Sequence, residues 1–291
     1  MREFRKGAKR KKYMYKKRLK KGILVVSFGT THTDALESCI GSCEDRIRRA
    51  YAGYEVRRAF TSGIVIKRLK QNYGMEADGV DDALAKMERD GFYEVIVQPL
   101  HIIPGIEYED VKKTVQRYSE ERVFEKIVLG KPALYCGDDY TAAVDALKGQ
   151  LPDLESGYAV LLMAHGTSHF TNACFCQLQL ALQYNKLDSV YVATAEGYPT
   201  IGDIVPLLKS RGISRVTLMP FMLVVGDHAV NDMAGEGVDS WSSILRREGY
   251  AVDTYMHGLG ENTAFQDIYV EHIKDCIDML NSNVRDIHNY R

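Results

Sequence analysis

Three residues of the types that bind transition metals follow predicted strands in the second half of the sequence. His165, Glu196 and His228 each come soon after a short apolar run that is typical of a buried strand. Because the carboxyl ends of parallel strands meet at one edge of a sheet, we expect these side chains to lie close together. Two imidazoles and a carboxylate suit a divalent first-row metal with an open coordination position. A histidine after a strand can also serve packing or hydrogen bonding, so the spacing alone leaves both interpretations open.

Two residues of the first half occupy related positions. Glu107 stands in the same register of an internal repeat as His228, so we expect it to face the metal group from the other side of a cleft. It could relay a proton or a metal ion there. An acidic residue in the first turn of a helix is explained almost as well by the helix dipole. The same register pairs His101 with Met222, which predicts a position in the cleft wall rather than a metal ligand.

The internal repeat is the feature that organises the whole sequence. Residues 25–30 (VVSFGT) resemble residues 162–167 (LMAHGT), and residues 95–105 resemble residues 216–226. We therefore predict two similar halves that face each other. The loops at the carboxyl ends of the strands would then form the walls of a cleft, where open α/β sheets bind their ligands.

Short apolar runs alternate with longer helical patterns along both halves. The predicted strands are residues 23–28, 55–59, 94–98, 126–129, 158–164, 189–193, 215–219 and 251–255. The predicted helices are residues 34–51, 62–73, 80–90, 107–122, 139–150, 170–186, 200–211, 229–248 and 262–281. This alternation predicts an α/β fold with two similar lobes, each a four-stranded parallel sheet flanked by helices. We expect an N-terminal extension over 1–22, a first lobe over 23–135 and a second lobe, carrying the metal site, over 136–291.

Charge and composition exclude several classes of protein. The 291 residues carry a net charge of -1, but twelve of the 38 basic residues fall within residues 1–22. The remaining body is acidic, which argues against nucleic acid as a partner. The basic segment could be an arm for RNA or a membrane surface, but we favour a solvated, disordered extension. The sequence has no apolar run of membrane-spanning length and no secretory signal, and its six cysteines are expected to be free thiols in the cytoplasm.

The Gly-Thr pairs at 29–30 and 166–167 could each hold a phosphate at a helix N-terminus. Neither belongs to a P-loop or a dinucleotide fingerprint, so we expect no ATP and no other nucleotide. His32 and His169 come just after these pairs and are expected either to line the cleft entrance or to cap the next helix.

Several segments together resemble a known family, the CbiK-type anaerobic cobalt chelatases of the class II chelatase superfamily. The resemblance is carried by residues 24–30, 55–62, 95–105, 164–167, 192–199 and 226–228. It covers the sequence from about residue 23 to the end and includes residues 258–262. The basic N-terminal segment has no counterpart in the family's pattern.

This resemblance implies a ferrochelatase-like fold and an enzyme that inserts Co²⁺ into sirohydrochlorin during anaerobic cobalamin biosynthesis. It implies that His165, Glu196 and His228 bind the metal and that neither ATP nor a further cofactor is needed. A His2Glu site does not select cobalt by geometry, so iron or nickel insertion stays open. A non-catalytic metal- or tetrapyrrole-binding protein is the alternative from another class. The sequence leaves the in vivo metal and the formation of a homo-oligomer undecided.

Catalytic roles follow from the chemistry of metal insertion, which removes two pyrrole N–H protons. Histidine titrates near neutral pH, so His165 is our candidate general base, with Glu107 as a second candidate for proton transfer. The macrocycle carries carboxylates, for which Arg57 and Arg58 are candidate partners; strand alternation lets only one of them face inward, and we select Arg58. The macrocycle's apolar faces are expected to contact the residues that follow three strand ends: Phe28, Ile102, Ile103, Met222 and Leu223. These apolar residues could instead simply pack the strand ends.

Overall fold

Eight strands form two parallel sheets of four strands each in residues 20–282, the part of the chain that the computed structural model describes. The strands are β1 (Lys20–Ser27), β2 (Glu55–Phe60), β3 (Phe92–Pro99), β4 (Lys126–Leu129), β5 (Tyr158–Ala164), β6 (Val190–Thr194), β7 (Arg215–Pro220) and β8 (Ala251–Thr254). Their order is β2-β1-β3-β4 in the first sheet and β6-β5-β7-β8 in the second. The identical order confirms the predicted two-lobed α/β fold.

Helices connect the strands and cover the sheets. They are α1 (Ser42–Ala50), α2 (Gly63–Tyr73), α3 (Val80–Arg89), α4 (Ile106–Glu120), α5 (Gly137–Lys148), α6 (Ala173–Tyr184), α7 (Ile201–Ser210), α8 (Trp241–Arg247) and α9 (Thr263–Asn281). A helical turn, Thr33–Ala35, and a π-helical turn, Leu36–Gly41, precede α1. No helix in residues 20–282 is both long and apolar enough to cross a bilayer.

The central strands are apolar on both faces because each face meets a different hydrophobic core. In β5, Val160 and Leu162 pack into a core shared with the first sheet, whereas Leu161 and Met163 pack into the core on the opposite face. All four side chains are fully buried. A parallel strand covered on both faces therefore appears in the sequence as a continuous apolar run, which is why the strand predictions succeed.

The predicted strand and helix boundaries are close to those observed, with two differences of substance. β1 begins at Lys20, three residues before the predicted strand 23–28, and Lys21 pairs with Glu94 of β3 at 3.0 Å. The predicted extension therefore overlaps the sheet by three residues, and the rest of it, residues 1–19, lies outside the described residues. The six cysteines, all within the described range, are free thiols as expected.

The predicted helix 229–248 is wrong as a single element. The structure has a π-helical turn, His228–Met233, and then a separate helix α8 (Trp241–Arg247). Gly235 lies between them, where an added Cβ would come within 2.3 Å of a backbone oxygen. Ser240 then starts the new helix, because its hydroxyl accepts a hydrogen bond from the Ser243 amide.

Each half of the chain ends in a segment that crosses towards the other lobe. After β4, the amides of Ala133 and Leu134 donate to the carbonyls of His101 and Ile102 at 2.9 and 2.8 Å. The chain then continues into α5, which packs on α6 of the second lobe and on α9. This first crossover fixes the residues that follow β3.

The second crossover repeats the first one. After β8, the amides of Leu259 and Gly260 donate to the carbonyls of Met222 and Leu223, both at 2.9 Å. The chain then enters α9, which packs against α1, β3 and β4 of the first lobe. The last helix of the chain thus completes the core of the first lobe, and core contacts cross the boundary expected near residue 135.

A buried hydrogen bond between side chains joins the two crossing helices. His272 of α9 lies with its Nε2 3.0 Å from Oδ1 of Asp139 in α5, and its Nδ1 lies 3.2 Å from the Lys131 carbonyl. Burial alone would raise the pKa of Asp139, but the hydrogen bonds from His272 and the Cys136 amide outweigh burial and lower that pKa. The hydrogen-bonded pair therefore stabilises the packing of α5 against α9.

Candidate metal centre

The three candidate ligands of the second lobe come together at the carboxyl edge of its sheet. One ligand atom each from His165, Glu196 and His228 lies within 4.8 Å of the others. The two imidazole rings meet edge to face with centroids 4.7 Å apart, and Nε2 of His228 lies 3.9 Å from Oε1 of Glu196. His165 and Glu196 are exposed and His228 is half-buried. The group can therefore be reached by a cation and by a larger molecule.

The strand order places these residues side by side. β5 lies between β6 and β7, so the chain ends of all three strands meet at this edge. The backbone pairing continues past the strands, because the Glu196 amide donates to the His165 carbonyl at 2.7 Å. Gly166 makes that contact sterically feasible: its φ is +80°, and a Cβ there would lie 2.3 Å from the Glu196 carbonyl oxygen. A glycine at position 166 is thus required for Glu196 to reach His165.

Hydrogen bonds at Nδ1 leave Nε2 of both histidines for a metal ion. Nδ1–H of His228 donates to Oδ2 of Asp232 at 2.6 Å, and Nδ1–H of His165 donates to the Gly166 carbonyl at 2.9 Å. Both acceptors can only accept, so the proton is assigned to Nδ1 and the lone pair to Nε2. A carboxylate behind a histidine is the usual support for a metal ligand.

Asp232 was not predicted from the sequence. It lies four residues after His228 in the π-helical turn His228–Met233, a type of turn that occurs often at functional sites. The His-x-x-x-Asp spacing could have indicated that Asp232 contacts His228, because residues four apart on a helix share a face.

A contact between the two lobes lies beside this group. Nε2 of His32, in the loop after β1, is 3.0 Å from Oδ1 of Asp227, the residue before His228. His32 was expected either to line the cleft entrance or to cap a helix. Its side chain makes no capping hydrogen bond, and its partner is on the opposite lobe. The contact holds the loops after β1 and β7 together.

The first lobe contributes no member to the ligand group. Among residues 20–282, one group of three or more metal-binding side chains lies close enough together to share an ion, and Glu107 is outside it. Glu107 lies exposed in the first turn of α4, after the end of β3. The two ring nitrogens of His101 are buried without a hydrogen-bond partner among the described residues, and burial lowers its pKa to about 4. His101 is therefore neutral near physiological pH.

The predicted apolar wall residues all follow strand ends. Phe28 is 52% exposed directly after β1. Ile102, Ile103 and Leu223 are half-buried against the core shared by both sheets, and Met222 is half-buried against the core of the second lobe. Of these residues, Phe28 offers the largest free surface. Their contact with a macrocycle stays a prediction.

Arg58 has a partner within the protein. Its guanidinium donates to both carboxylate oxygens of Glu44 at 2.5 and 2.9 Å, and the Glu44 side chain is 2% exposed. A bidentate pair of this kind satisfies a buried charge that would otherwise be costly. The predicted contact of Arg58 with substrate carboxylates would require this pair to open.

Comparison with known proteins finds relatives that are similar over most of the chain. A family model described as "Cobalt chelatase (CbiK)" matches residues 21–278. The sirohydrochlorin cobaltochelatase of Salmonella typhimurium is 36% identical over 261 residues, covering 90% of this chain and 98% of that protein. The sirohydrochlorin cobaltochelatase CbiKC of Nitratidesulfovibrio vulgaris is 35% identical over 263 residues, covering 90% of this chain and 92% of that protein.

Two solved structures share the fold at lower identity. SirB from Bacillus subtilis with Fe3+ has a TM-score of 0.65 and 14% identity, covering 91% of this chain and 98% of that chain. CbiX, described as the terminal enzyme of siroheme biosynthesis in denitrifying bacteria, has a TM-score of 0.51 and 16% identity, covering 88% of this chain and 99% of that chain.

Proposed function

The chain belongs to the cobalt chelatase (CbiK) family, and from this membership we propose that it inserts Co²⁺ into sirohydrochlorin in anaerobic cobalamin biosynthesis. The observation that carries the proposal is the group of His165, Glu196 and His228, whose ligand atoms lie within 4.8 Å of one another. The group would bind the cation, and because His165 and Glu196 are exposed, the macrocycle can approach the bound cation.

The reaction exchanges one Co²⁺ for two pyrrole protons. Nε2 of His165 and of His228 would hold the cation together with a Glu196 oxygen, and the carboxylate would offset part of its charge. Three protein ligands leave positions free, so the four pyrrole nitrogens can replace the protein atoms stepwise. The chemistry needs no phosphoryl transfer, and we propose that no ATP and no further cofactor takes part.

The two pyrrole N–H protons would be accepted by side chains beside the metal. As pyrrole nitrogens take over the cation, Nε2 of His165 becomes free to accept one N–H proton. Glu196 is positioned to accept or relay the other. Glu107 is our second candidate for proton transfer, since it lies at the equivalent strand end of the first lobe.

A turnover assay distinguishes insertion of Co²⁺ from insertion of Fe²⁺ or Ni²⁺, and an enzyme from a tetrapyrrole-binding protein. Purified protein would be mixed with sirohydrochlorin and excess Co²⁺, Fe²⁺ or Ni²⁺ without ATP, while the change in the macrocycle's absorption spectrum is followed. We expect many turnovers with Co²⁺, and the His165→Ala, His228→Ala double variant as the inactive control. Faster turnover with Fe²⁺ or Ni²⁺ would reassign the metal. A single stoichiometric spectral change would indicate a tetrapyrrole-binding protein instead of an enzyme.

A further inference from the structure

Large apolar side chains are exposed at the carboxyl ends of six strands. In each half, one such residue follows each of the first three strands along the chain: Phe28, Ile64 and Ile106 after β1, β2 and β3, and Phe170, Tyr198 and Val230 after β5, β6 and β7. A single exposed apolar residue needs no explanation, but an exposed apolar residue after each of six strands suggests a binding surface. The metal centre described above lies at this same edge of the second sheet.

In the second lobe this apolar surface is interleaved with the metal ligands. Each of its three apolar residues follows a ligand by at most five positions: Phe170 after His165, Tyr198 after Glu196 and Val230 after His228. A hydrated cation alone gains nothing from exposed rings. A flat, apolar molecule that takes the metal from the ligands gains from both features, because aromatic side chains bury large area against planar rings.

One side chain, that of Asn172, is hydrogen-bonded to the two loops that carry the aromatic residues Phe170 and Tyr198. Its Oδ1 accepts from the Thr167 amide at 3.1 Å, and its Nδ2 donates to the Tyr198 carbonyl at 2.5 Å. Asn172 therefore joins the loop after β5 to the loop after β6. The ring of His169 packs beside that of Phe170, with centroids 4.2 Å apart.

The loop that carries Tyr198 is closed by further contacts. The amide and the hydroxyl of Thr194 both donate to the Pro199 carbonyl, at 2.7 and 3.0 Å. Gly197 packs so closely on Asn172 that an added Cβ would lie 2.6 Å from its Oδ1. The loop backbone is thus fixed while Tyr198 remains 64% exposed. A ring presented in this way loses little conformational freedom when a ligand covers it.

We propose that Phe170 and Tyr198 form an aromatic platform on the second lobe, against which one face of the tetrapyrrole packs while the metal is inserted. The identity of the macrocycle rests on the proposed function. Phe28 occupies the repeat position of His165 on the first lobe, so it is the residue placed to cover the opposite face. The platform thereby sets the position of the pyrrole nitrogens relative to the metal ligands.

The test separates macrocycle binding from metal binding. The variants are Phe170→Ala, Tyr198→Ala and their combination, with Tyr184→Ala as the matched control. Tyr184 is 77% exposed at the C-terminal end of α6, the end of that helix remote from the cleft loops. Sirohydrochlorin binding is measured without metal by absorption titration, and KM is measured separately for sirohydrochlorin and for Co²⁺.

We expect the double variant to bind sirohydrochlorin about tenfold more weakly and to raise its KM to a similar extent. The KM for Co²⁺ should stay within about twofold, and Tyr184→Ala should match the wild type. Tyr198→Phe keeps the ring and should keep binding. If the double variant lowers the thermal transition, the single variants, each removing one exposed ring, provide the same comparison.

Each outcome decides the proposal. Unchanged sirohydrochlorin binding in the folded double variant overturns it, as does an equal loss in Tyr184→Ala or a selective loss of Co²⁺ binding. Wild-type protein that binds the macrocycle through these rings but inserts no metal would overturn the proposed function and leave the platform standing. Wild-type protein that binds no sirohydrochlorin would overturn both.

Discussion

At the level of single residues, the metal centre depends on side chains behind the ligands. Asp232 accepts the Nδ1–H of His228 across 2.6 Å and so fixes the ring with Nε2 towards Glu196. Supporting carboxylates of this kind typically change the metal affinity of a site by about 10- to 100-fold. Asp232 is therefore as much part of the centre as the ligand that it orients.

We expect Asp232→Ala to weaken Co²⁺ binding by about 10- to 100-fold, because His228 loses both its orientation and a neighbouring charge. Calorimetric titration with Co²⁺ measures this directly. Asp239→Asn, at an exposed position in the same segment, is the control and should bind as the wild type. Equal affinities for Asp232→Ala and the wild type would contradict the assigned support of His228.

Gly166 offers a second test at this scale. An alanine there must adopt a φ of +80°, which costs about 1–2 kcal/mol, and its Cβ would meet the Glu196 carbonyl oxygen. We expect Gly166→Ala to lower the thermal transition and to abolish tight Co²⁺ binding, since Glu196 must move. Gly226→Ala has free space around its Cβ and should leave the thermal transition unchanged. Two equally stable variants would show that the loop tolerates a side chain at position 166.

At the level of secondary structure elements, the two crossing helices hold the lobes together. α9 comes from the end of the chain and packs on β3 and β4, and the His272–Asp139 pair fastens it to α5. Both side chains of this pair are nearly fully buried. Removing His272 would leave the buried Asp139 carboxylate without this hydrogen bond, which typically costs about 1–3 kcal/mol.

This pair predicts a dependence of stability on pH. The pKa of Asp139 is lower in the folded than in the unfolded protein, so its contribution is complete above roughly pH 4 and is lost as the pH falls through the lower, folded pKa. We expect the free energy of unfolding of the wild type to fall more steeply below about pH 4 than that of Asp139→Asn. Denaturant titrations at several pH values measure both. Parallel curves for the two proteins would contradict the assigned role.

At the level of the whole molecule, the two lobes carry different side chains at equivalent strand ends. The second lobe carries the ligand group, whereas the equivalent first-lobe positions hold Phe28 and Glu107. The His32–Asp227 contact spans from one lobe to the other beside His228. The two lobes thus share one strand order, while the candidate ligand group found in residues 20–282 lies on the second lobe.

A macrocycle between the lobes should contact the loops of both. We expect sirohydrochlorin to slow hydrogen exchange together in residues 100–108 and 222–232, the segments that follow β3 and β7. Mass spectrometry of peptides with and without the macrocycle measures this. Residues 141–148 of α5, away from the strand ends, serve as an internal reference. Slowed exchange in one of the two loop segments alone would argue against a cleft shared by both lobes.

The sequence by itself determined the elements and the candidate metal ligands. A strand buried on both faces must be a continuous apolar run, so all eight strands could be predicted, and the repeat gave each lobe the same order. Because parallel strands end at one edge, the convergence of His165, Glu196 and His228 followed from their positions after β5, β6 and β7. The geometry of the ligand group is thus largely a consequence of chain order.

Only the tertiary structure decided which side chains are partners. Arg58 pairs with the buried Glu44, although the sequence suggested a substrate contact. Asp227 meets a histidine that lies 195 positions away along the chain, and α9 completes the first lobe from the far end of the sequence. Periodicity reports which face of an element is buried, but not what covers that face. Contacts between distant segments depend on the packing of the complete chain, so they become visible only once both lobes are assembled.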